Sequence, residues 1–229
     1  MNYKNLVFLG TSHIAKQSLE EVKSHMEREK PEILAIELDK KRLPALMSNS
    51  HKISLRSIRV IGLKGFLFSL FGAWAERKLG KLVGVSPGSE MRQAVRIAKK
   101  ESIKVALVDQ DIEVTLKRLS QEFTWREKFN FLADVVKAVF SRKKEIDFDL
   151  RTVPDKKIIR KLIGQLRERY PNLYKVLIEE RNKVIAYNLK TLMEQNPGRK
   201  ILVILGAGHV DDVMELVKEP EIKYSFSVR

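Results

Sequence analysis

The stretch "NLVFLGTSHIAK", residues 5–16, decides how the chain is read. Val7, Phe8 and Leu9 form a short apolar run ahead of Gly10, and Ser18, Leu19, Val22 and Met26 follow at helical spacing, so His13 falls where a strand turns into a helix. Such a turn carries unpaired backbone N–H groups and the positive end of a helix dipole, which suits it to holding an anion or orienting a side chain. The stretch "ILVILGAGHVDD", residues 201–212, repeats the pattern: an apolar strand, Gly206, two residues and His209.

Two more apolar runs, residues 33–38 and 105–108, join those at 6–9 and 201–205 as predicted strands. Helical patterns alternate with them. "KQSLEEVKSHMEREK" follows the first strand, and "SEMRQAVRIAKKE" precedes the third with Met91, Ala94, Val95 and Ala98 on one face. Strands that are apolar on both faces and separated by helices predict an α/β fold with a mostly parallel central sheet flanked by helices. The closing "IKYSFSV" could add an edge strand. Residues 122–195 read as helices only, with one stripe through Trp125, Phe129, Leu132, Val135, Val136 and Val139 and another through Ile158, Ile159, Leu162, Ile163 and Leu166. Pro154 and Pro171 punctuate them, and Asp155 is placed to cap the second. With no low-complexity linker, the expectation is a single domain over residues 1–229 with a helical subdomain, 122–195, inserted before the last parallel strand.

Charge and compartment narrow the partners. Lys and Arg number 44 against 29 Asp and Glu, a net charge of +15 that fits an acidic partner such as an anionic membrane surface, or the solvated surface of a heat-adapted protein. No recognised nucleic-acid motif accompanies it, so nucleic acid is not expected. The absence of cysteine removes disulfides, thiolate nucleophiles and Cys-zinc sites together, and the absence of a signal peptide leads to the expectation of a cytoplasmic protein. In "SIRVIGLKGFLFSLFGAWAERKLGKLVG", Arg59 and Lys64 interrupt the apolar run, and residues 65–75 are too few to span hydrocarbon. Its aromatics, Phe66, Phe68, Phe71 and Trp74, could pack into the core, line a groove for an apolar peptide, or lie at a membrane surface.

The four strands deliver ionisable residues to one edge. Ligands of parallel sheets bind beyond the carboxyl ends of the strands, and there stand His13, His209, the pair Glu37 and Asp39, and the pair Asp109 and Asp111. His25 and His51 read as surface or loop residues. In "NLYKVLIEERNKVIAYNLKTL", Arg181 lies within the apolar stripe formed by Leu173, Leu177, Ile178, Val184, Ile185 and Leu189. A guanidinium on an inward face needs an anion, and Glu37 or Asp109 is its natural partner. Each feature alone has an ordinary explanation: a capped histidine, a helix cap, a structural ion pair. Their convergence argues for a site. Two imidazoles and a carboxylate suit zinc or another divalent ion; without metal, one histidine could serve as general base while Arg181 steadies an oxyanion. "GAGHVDD" lacks the third glycine and the following βαβ unit of a dinucleotide site, so NAD is rejected.

These residues together resemble the TraB family, the pheromone-shutdown group related to Tiki-type metalloproteases and, more distantly, to erythromycin esterase and ChaN-like proteins. The matching stretches are "GTSHIAKQS", "PEILAIELDKKR", "SPGSEMRQAVRIA", "VALVDQDIEVTLKRL", "EERNKVIA" and "VILGAGHVDDV". The resemblance implies a hydrolase, peptide-directed and dependent on a divalent metal (manganese, zinc or cobalt), with His13, Glu37, Arg181 and His209 as its active centre. His13, Glu37 and His209 would be metal ligands, supported by Gly10, Asp109, Glu180 and Gly206. The family usually has Arg where Gln110 stands and often Asp where Asn182 stands, which puts a charge relay through those positions in question. Many members continue into C-terminal membrane helices, so membrane association is expected if this chain is part of a longer one. The expected substrate is a peptide or small molecule, and an oligomer is left open. The competing reading is a non-catalytic module that sequesters a peptide or small ligand, with residues 66–74 as its groove.

Overall fold

The computed structural model describes residues 1–11, 16–48, 88–140 and 156–220. The aromatic segment 66–74, His13, Asp155 and the closing "IKYSFSV" lie outside the described residues. In chain order the elements are β1 (Asn2–Tyr3), β2 (Leu6–Thr11), α1 (Lys16–Glu29), β3 (Ile33–Ile36), α2 (Arg42–Ser48), α3 (Ser89–Lys100), β4 (Lys104–Leu107), α4 (Ile112–Glu122), α5 (Trp125–Phe140), α6 (Lys156–Arg169), α7 (Pro171–Tyr174), a π-helical turn (Lys175–Glu179), α8 (Glu180–Gln195), β5 (Ile201–Gly206) and α9 (Val210–Lys218). The sheet order is β1-β2-β5-β3-β4. All neighbours are parallel except β1, a two-residue antiparallel edge strand too short for its alternation to be read in the sequence.

The pleat divides the core in two. Phe8, Ala35, Val203 and Leu205 face Ile185, Ala186 and Leu189 of α8 and Val213 and Val217 of α9. Val7, Leu34, Leu202 and Ile204 face Val22 and Met26 of α1 and Met91, Ala94, Val95 and Ala98 of α3. Alternate residues of one strand serve opposite faces, which is why these strands read as continuous apolar runs. No helix among the described residues is long and apolar enough to cross a membrane.

Between β4 and β5 the described residues are helical, but the predicted stripes are only partly used. Trp125 and Phe129 of α5 are 70% and 66% exposed, with the Lys128 ammonium 4.5 Å from the centre of the Trp125 ring. Leu162 of α6 is also exposed. The side chains of Leu132, Val135, Val136 and Val139 lie outside those described. Among its described side chains, the one α5 buries is Glu127, and the reason is polar. Its carboxylate accepts from Thr124 N and Oγ1 at 3.1 and 2.9 Å, closing a capping box, and from Asn172 N at 2.8 Å and Leu173 N at 3.3 Å at the start of α7. One side chain therefore caps two helices. Burial alone would raise its pKa, but the hydrogen bonds from Thr124 and Asn172 prevail and hold it below the usual value. A depressed acid contributes stability that is present above the unfolded pKa and lost as pH falls through the folded one. Glu127→Ala is expected to cost about 2–3 kcal/mol in denaturant unfolding at neutral pH, with the deficit narrowing in acid. A deficit independent of pH would contradict the capping role.

A candidate active site at the carboxyl edge of the sheet

The strand ends bring their ionisable residues together. β3 runs into Glu37 and Asp39, β4 into Asp109, and β5 into Gly206 and the turn that places His209 at the N-cap of α9. Arg181 arrives from α8. The π-helical turn immediately before it, in which Glu180 N–H bonds Lys175 O, inserts one residue into the helical register. The buried positions are consequently Tyr174 before the turn, Val176 within it and Asn182, Ile185, Ala186 and Leu189 after it, so the predicted stripe holds at Ile185 and Leu189 but not at Leu173, Leu177 and Ile178.

Arg181 is enclosed, its side chain 14% exposed. Nε donates to Asp109 Oδ1 at 3.0 Å, Nη2 donates to Asp109 Oδ2 at 2.7 Å and to Glu37 Oε1, and Nη1 donates to Leu177 O at 3.3 Å. Burial alone would lower its pKa, but the charge of Glu37 and the bonds and charge of Asp109 hold it above the ordinary arginine value. The carboxylates are themselves tied down. Glu37 Oε2 accepts from Gly206 N at 2.6 Å, and Asp109 Oδ1 accepts from Gln110 N at 2.7 Å. Arg42 is a second guanidinium here: Nη2 donates to Asp109 Oδ2 and Nε to Asp39 Oδ2 at 2.5 Å, while Asp39 Oδ1 caps α2 by accepting from Lys41 N and Arg42 N. Gln110 turns instead to Thr115 Oγ1, at 2.9 Å. The second cation on Asp109 therefore comes from α2 rather than from position 110.

His209 joins through Asn182. Asn182 Nδ2 donates to Asp212 Oδ2 at 3.2 Å, which turns Asn182 Oδ1 toward His209 Nδ1 at 2.6 Å. Asn182 Oδ1 gives Nδ1 an acceptor, and Nε2 faces the cluster, 3.4 Å from Arg181 Nη1 and 3.5 Å from Glu37 Oε1. The asparagine thus orients the ring without carrying charge. Asp212 is pushed toward its neutral form, first by burial and then by Glu215, with His209 pulling the other way. An acid raised in the folded state loses stability as pH rises from the unfolded pKa through the folded one. Asp212→Asn, which keeps an acceptor for Asn182, is expected to gain stability over the parent at pH 7 and to lose that advantage at acid pH, read by urea unfolding at both. An equal effect at both values would count against it.

The predicted residues divide as follows. Glu37, Asp109, Arg181, His209 and Gly206 meet. Gly10 stands where a Cβ would come within 3.1 Å of Val210 Cγ2 and 3.3 Å of Ala207 Cα, so the two Gly-x-x-His turns start from closely apposed backbones. Glu180 is not at the centre: one position along the helix from Arg181, it points elsewhere and pairs with Arg118 Nη2 at 2.6 Å. Sequence reasoning missed Arg42 and Asp212, and singled out Asn182 only as a departure from the family pattern. Asp39-x-x-Arg42 at the start of a short helix was the available signal for the first.

The donor set bears on a metal. Ligands at about 2.0 Å on a tetrahedral ion stand about 3.3 Å apart, and His209 Nε2 and Glu37 Oε1 are 3.5 Å apart with Nδ1 held by an outer partner, as ligating histidines require. These two atoms fit adjacent positions on one ion. Among the described residues no group of three or more His, Asp and Glu side chains is arranged to hold one.

Fold and edge together define an α/β domain built around a buried histidine, carboxylate and guanidinium cluster where parallel strands end. The chain belongs to the TraB/PrgY/gumN family, whose model matches residues 2–225. It is 33% identical over 226 residues to the uncharacterized protein MJ1365 of Methanocaldococcus jannaschii, covering 96% of this chain and 55% of that one. It is 22% identical over 200 residues to the TraB domain-containing protein of Homo sapiens, covering 80% of this chain and 51% of that one, and the Bos taurus counterpart is 23% identical over the same length. The chain spans about half the length of the curated relatives it matches.

Proposed function

We propose that the domain hydrolyses an amide or ester bond of a peptide or small molecule, as a metal-dependent peptidase, with His13, two positions beyond β2 in the chain, joining Glu37, Arg181 and His209. The observation that carries this reading is the aimed imidazole: Asn182 fixes His209 with Nε2 beside both Glu37 and a buried guanidinium. His13, Glu37 and His209 would hold a divalent ion, which when bound polarises the scissile carbonyl and makes its water a nucleophile. The chain's own groups do the rest. Without an ion, the unligated Nε2 of His209 would receive and return the proton of the attacking water; in either case Arg181 offsets the negative charge that develops on the carbonyl oxygen. Asp109 and Glu37 keep that guanidinium in place by binding its Nε and Nη2.

The test is turnover of peptide and ester panels by chelator-treated protein, alone and with manganese, zinc or cobalt restored. Metal-dependent product is the expected result, and absence of product under every condition would sink the reading. A second reading has one observation in its favour: both oxygens of Glu37 are already engaged within the protein, by Arg181 and Gly206. It holds that the domain sequesters a ligand without cutting it. Ligand binding that survives chelation and yields no product would select it.

A further inference from the structure

A cavity of 500 Å³ opens beside the cluster, between α6, α9 and β2. That volume lies in the range of small-molecule sites, about 300–1,000 Å³. Among the described residues its apolar wall comes from Phe8 and Leu9, from Ile159 and Ile163 of α6, and from Tyr174 and Val210. It adjoins the candidate active site directly, since Gly208 and Val210, which line it, flank His209 in the chain, and Asp212, also in its wall, holds Asn182.

Two observations say what it takes. Gly164 lies within α6 and lines the cavity, yet a Cβ built on it would meet nothing within 4 Å. Glycine inside a helix costs about 0.5–1 kcal/mol relative to alanine, so the sequence gives up helix stability at a position where a side chain would only take space from the cavity. The second is Arg167, at the same wall. Among the described residues no carboxylate pairs with it, and its guanidinium lies over the Tyr174 ring, 5.6 Å from the centre. The other ionisable groups of the wall have partners: Arg160 Nη2 bonds Asp211 Oδ2 at 3.0 Å, Asp212 is bound to Asn182 and biased by burial toward neutrality, the Met1 ammonium donates to Phe8 O at 3.3 Å, and His25 Nδ1 lies 2.9 Å from Glu21 O.

We propose that this cavity is a recognition pocket for an apolar group bearing a carboxylate, the apolar part lying between α6 and β2 and the carboxylate on Arg167. The inference rests on the hydrolase reading for one point only, that a bond next to the occupant is cut. A fatty acid and the last residue of an apolar peptide share this chemistry.

The experiment measures binding of decanoate, decanol, acetyl-Ala-Ala-Phe and its C-terminal amide by calorimetry, to the parent, Gly164→Leu and Arg167→Gln. Gly164→Leu fills the space while improving the helix, so its melting temperature should not fall. The expected result is saturable binding of at least one acid, at least about tenfold tighter than its uncharged counterpart, with Arg167→Gln abolishing that preference and Gly164→Leu weakening both members of the pair by about tenfold or more. Preference for decanoate or for the peptide acid assigns the source, and either supports the pocket. Acid and neutral probes bound equally by the parent, or no saturable binding of any probe, would overturn it. Saturable binding of an acid probe with no product from the peptide and ester panels removes the hydrolase reading and leaves the pocket standing; turnover of those panels indifferent to both variants removes the pocket and leaves the hydrolase.

Discussion

Arg181→Met will lower the unfolding free energy by about 3–5 kcal/mol at neutral pH, the largest stability loss expected from any single change at this edge. The loss comes less from the bonds that vanish than from the charges that remain. Glu37 and Asp109 are 5% and 7% exposed, and together they take three hydrogen bonds from this one guanidinium. Among the described contacts, removing it leaves Glu37 with Gly206 N–H and with His209 Nε2 at 3.5 Å, and Asp109 with Gln110 N–H and Arg42, so two buried negative charges lose the cation they share. The variant should regain stability as pH falls, because protonating either carboxylate relieves the repulsion between them. Arg181→Lys should recover less than half of the loss, since an ammonium cannot reproduce the planar fork that spans both Asp109 oxygens and Glu37. Urea unfolding of the three proteins at neutral and acid pH decides it. A loss under about 1 kcal/mol, or one that does not shrink in acid, would mean the cluster is not held by its guanidinium.

On the proposed hydrolase reading, His209→Ala is expected to reduce turnover by about 10²–10⁴-fold while leaving the fold intact. The ring's value lies in where Asn182 directs it, so Asn182→Ala should reduce turnover too, by a smaller factor of about 10–100, the usual effect of losing an outer partner. Asn182→Asp separates orientation from charge. An aspartate still accepts from Nδ1, but it cannot donate to Asp212 and it sets a second carboxylate against that residue. Activity retained, with a stability loss that is present at neutral pH and narrows in acid, would show that orientation is what His209 requires. Loss of activity equal to that of the alanine variant would show that the neutral amide is required. Steady-state rates with metal content measured on each protein separate these outcomes from simple loss of an ion. Turnover unchanged in His209→Ala would remove His209 from the active centre.

Much of this molecule can be read without coordinates, and the boundary follows from the range of the forces involved. The strands are legible because burial on both faces demands unbroken apolar runs, and parallel strands must end at one edge, so Glu37, Asp109 and His209 could be assigned to a common edge from sequence alone. Arg181 was legible as a charge inside an apolar stripe, though not which carboxylate it would take; it takes both. The register of its helix was not legible. A π-helical turn is an extra residue accommodated by packing, and the pattern on each side of Lys175–Glu179 looks like one helix until the tertiary structure separates them. Local patterning likewise treated Trp125 and Phe129 as an inward stripe, whereas α5 turns Glu127 inward to cap α7 across a separation that no window of sequence covers.

The sequence by itself determined the α/β class, the strand edge at which chemistry gathers and the family, because those depend on periodicity and on residue types fixed along the chain. Tertiary structure alone decided that Asn182 stands between Asp212 and His209, that Arg42 reaches Asp109 from a different helix, and that Gly164 borders open space. Each of those is a distance between residues far apart in sequence, set by how helices pack on the sheet.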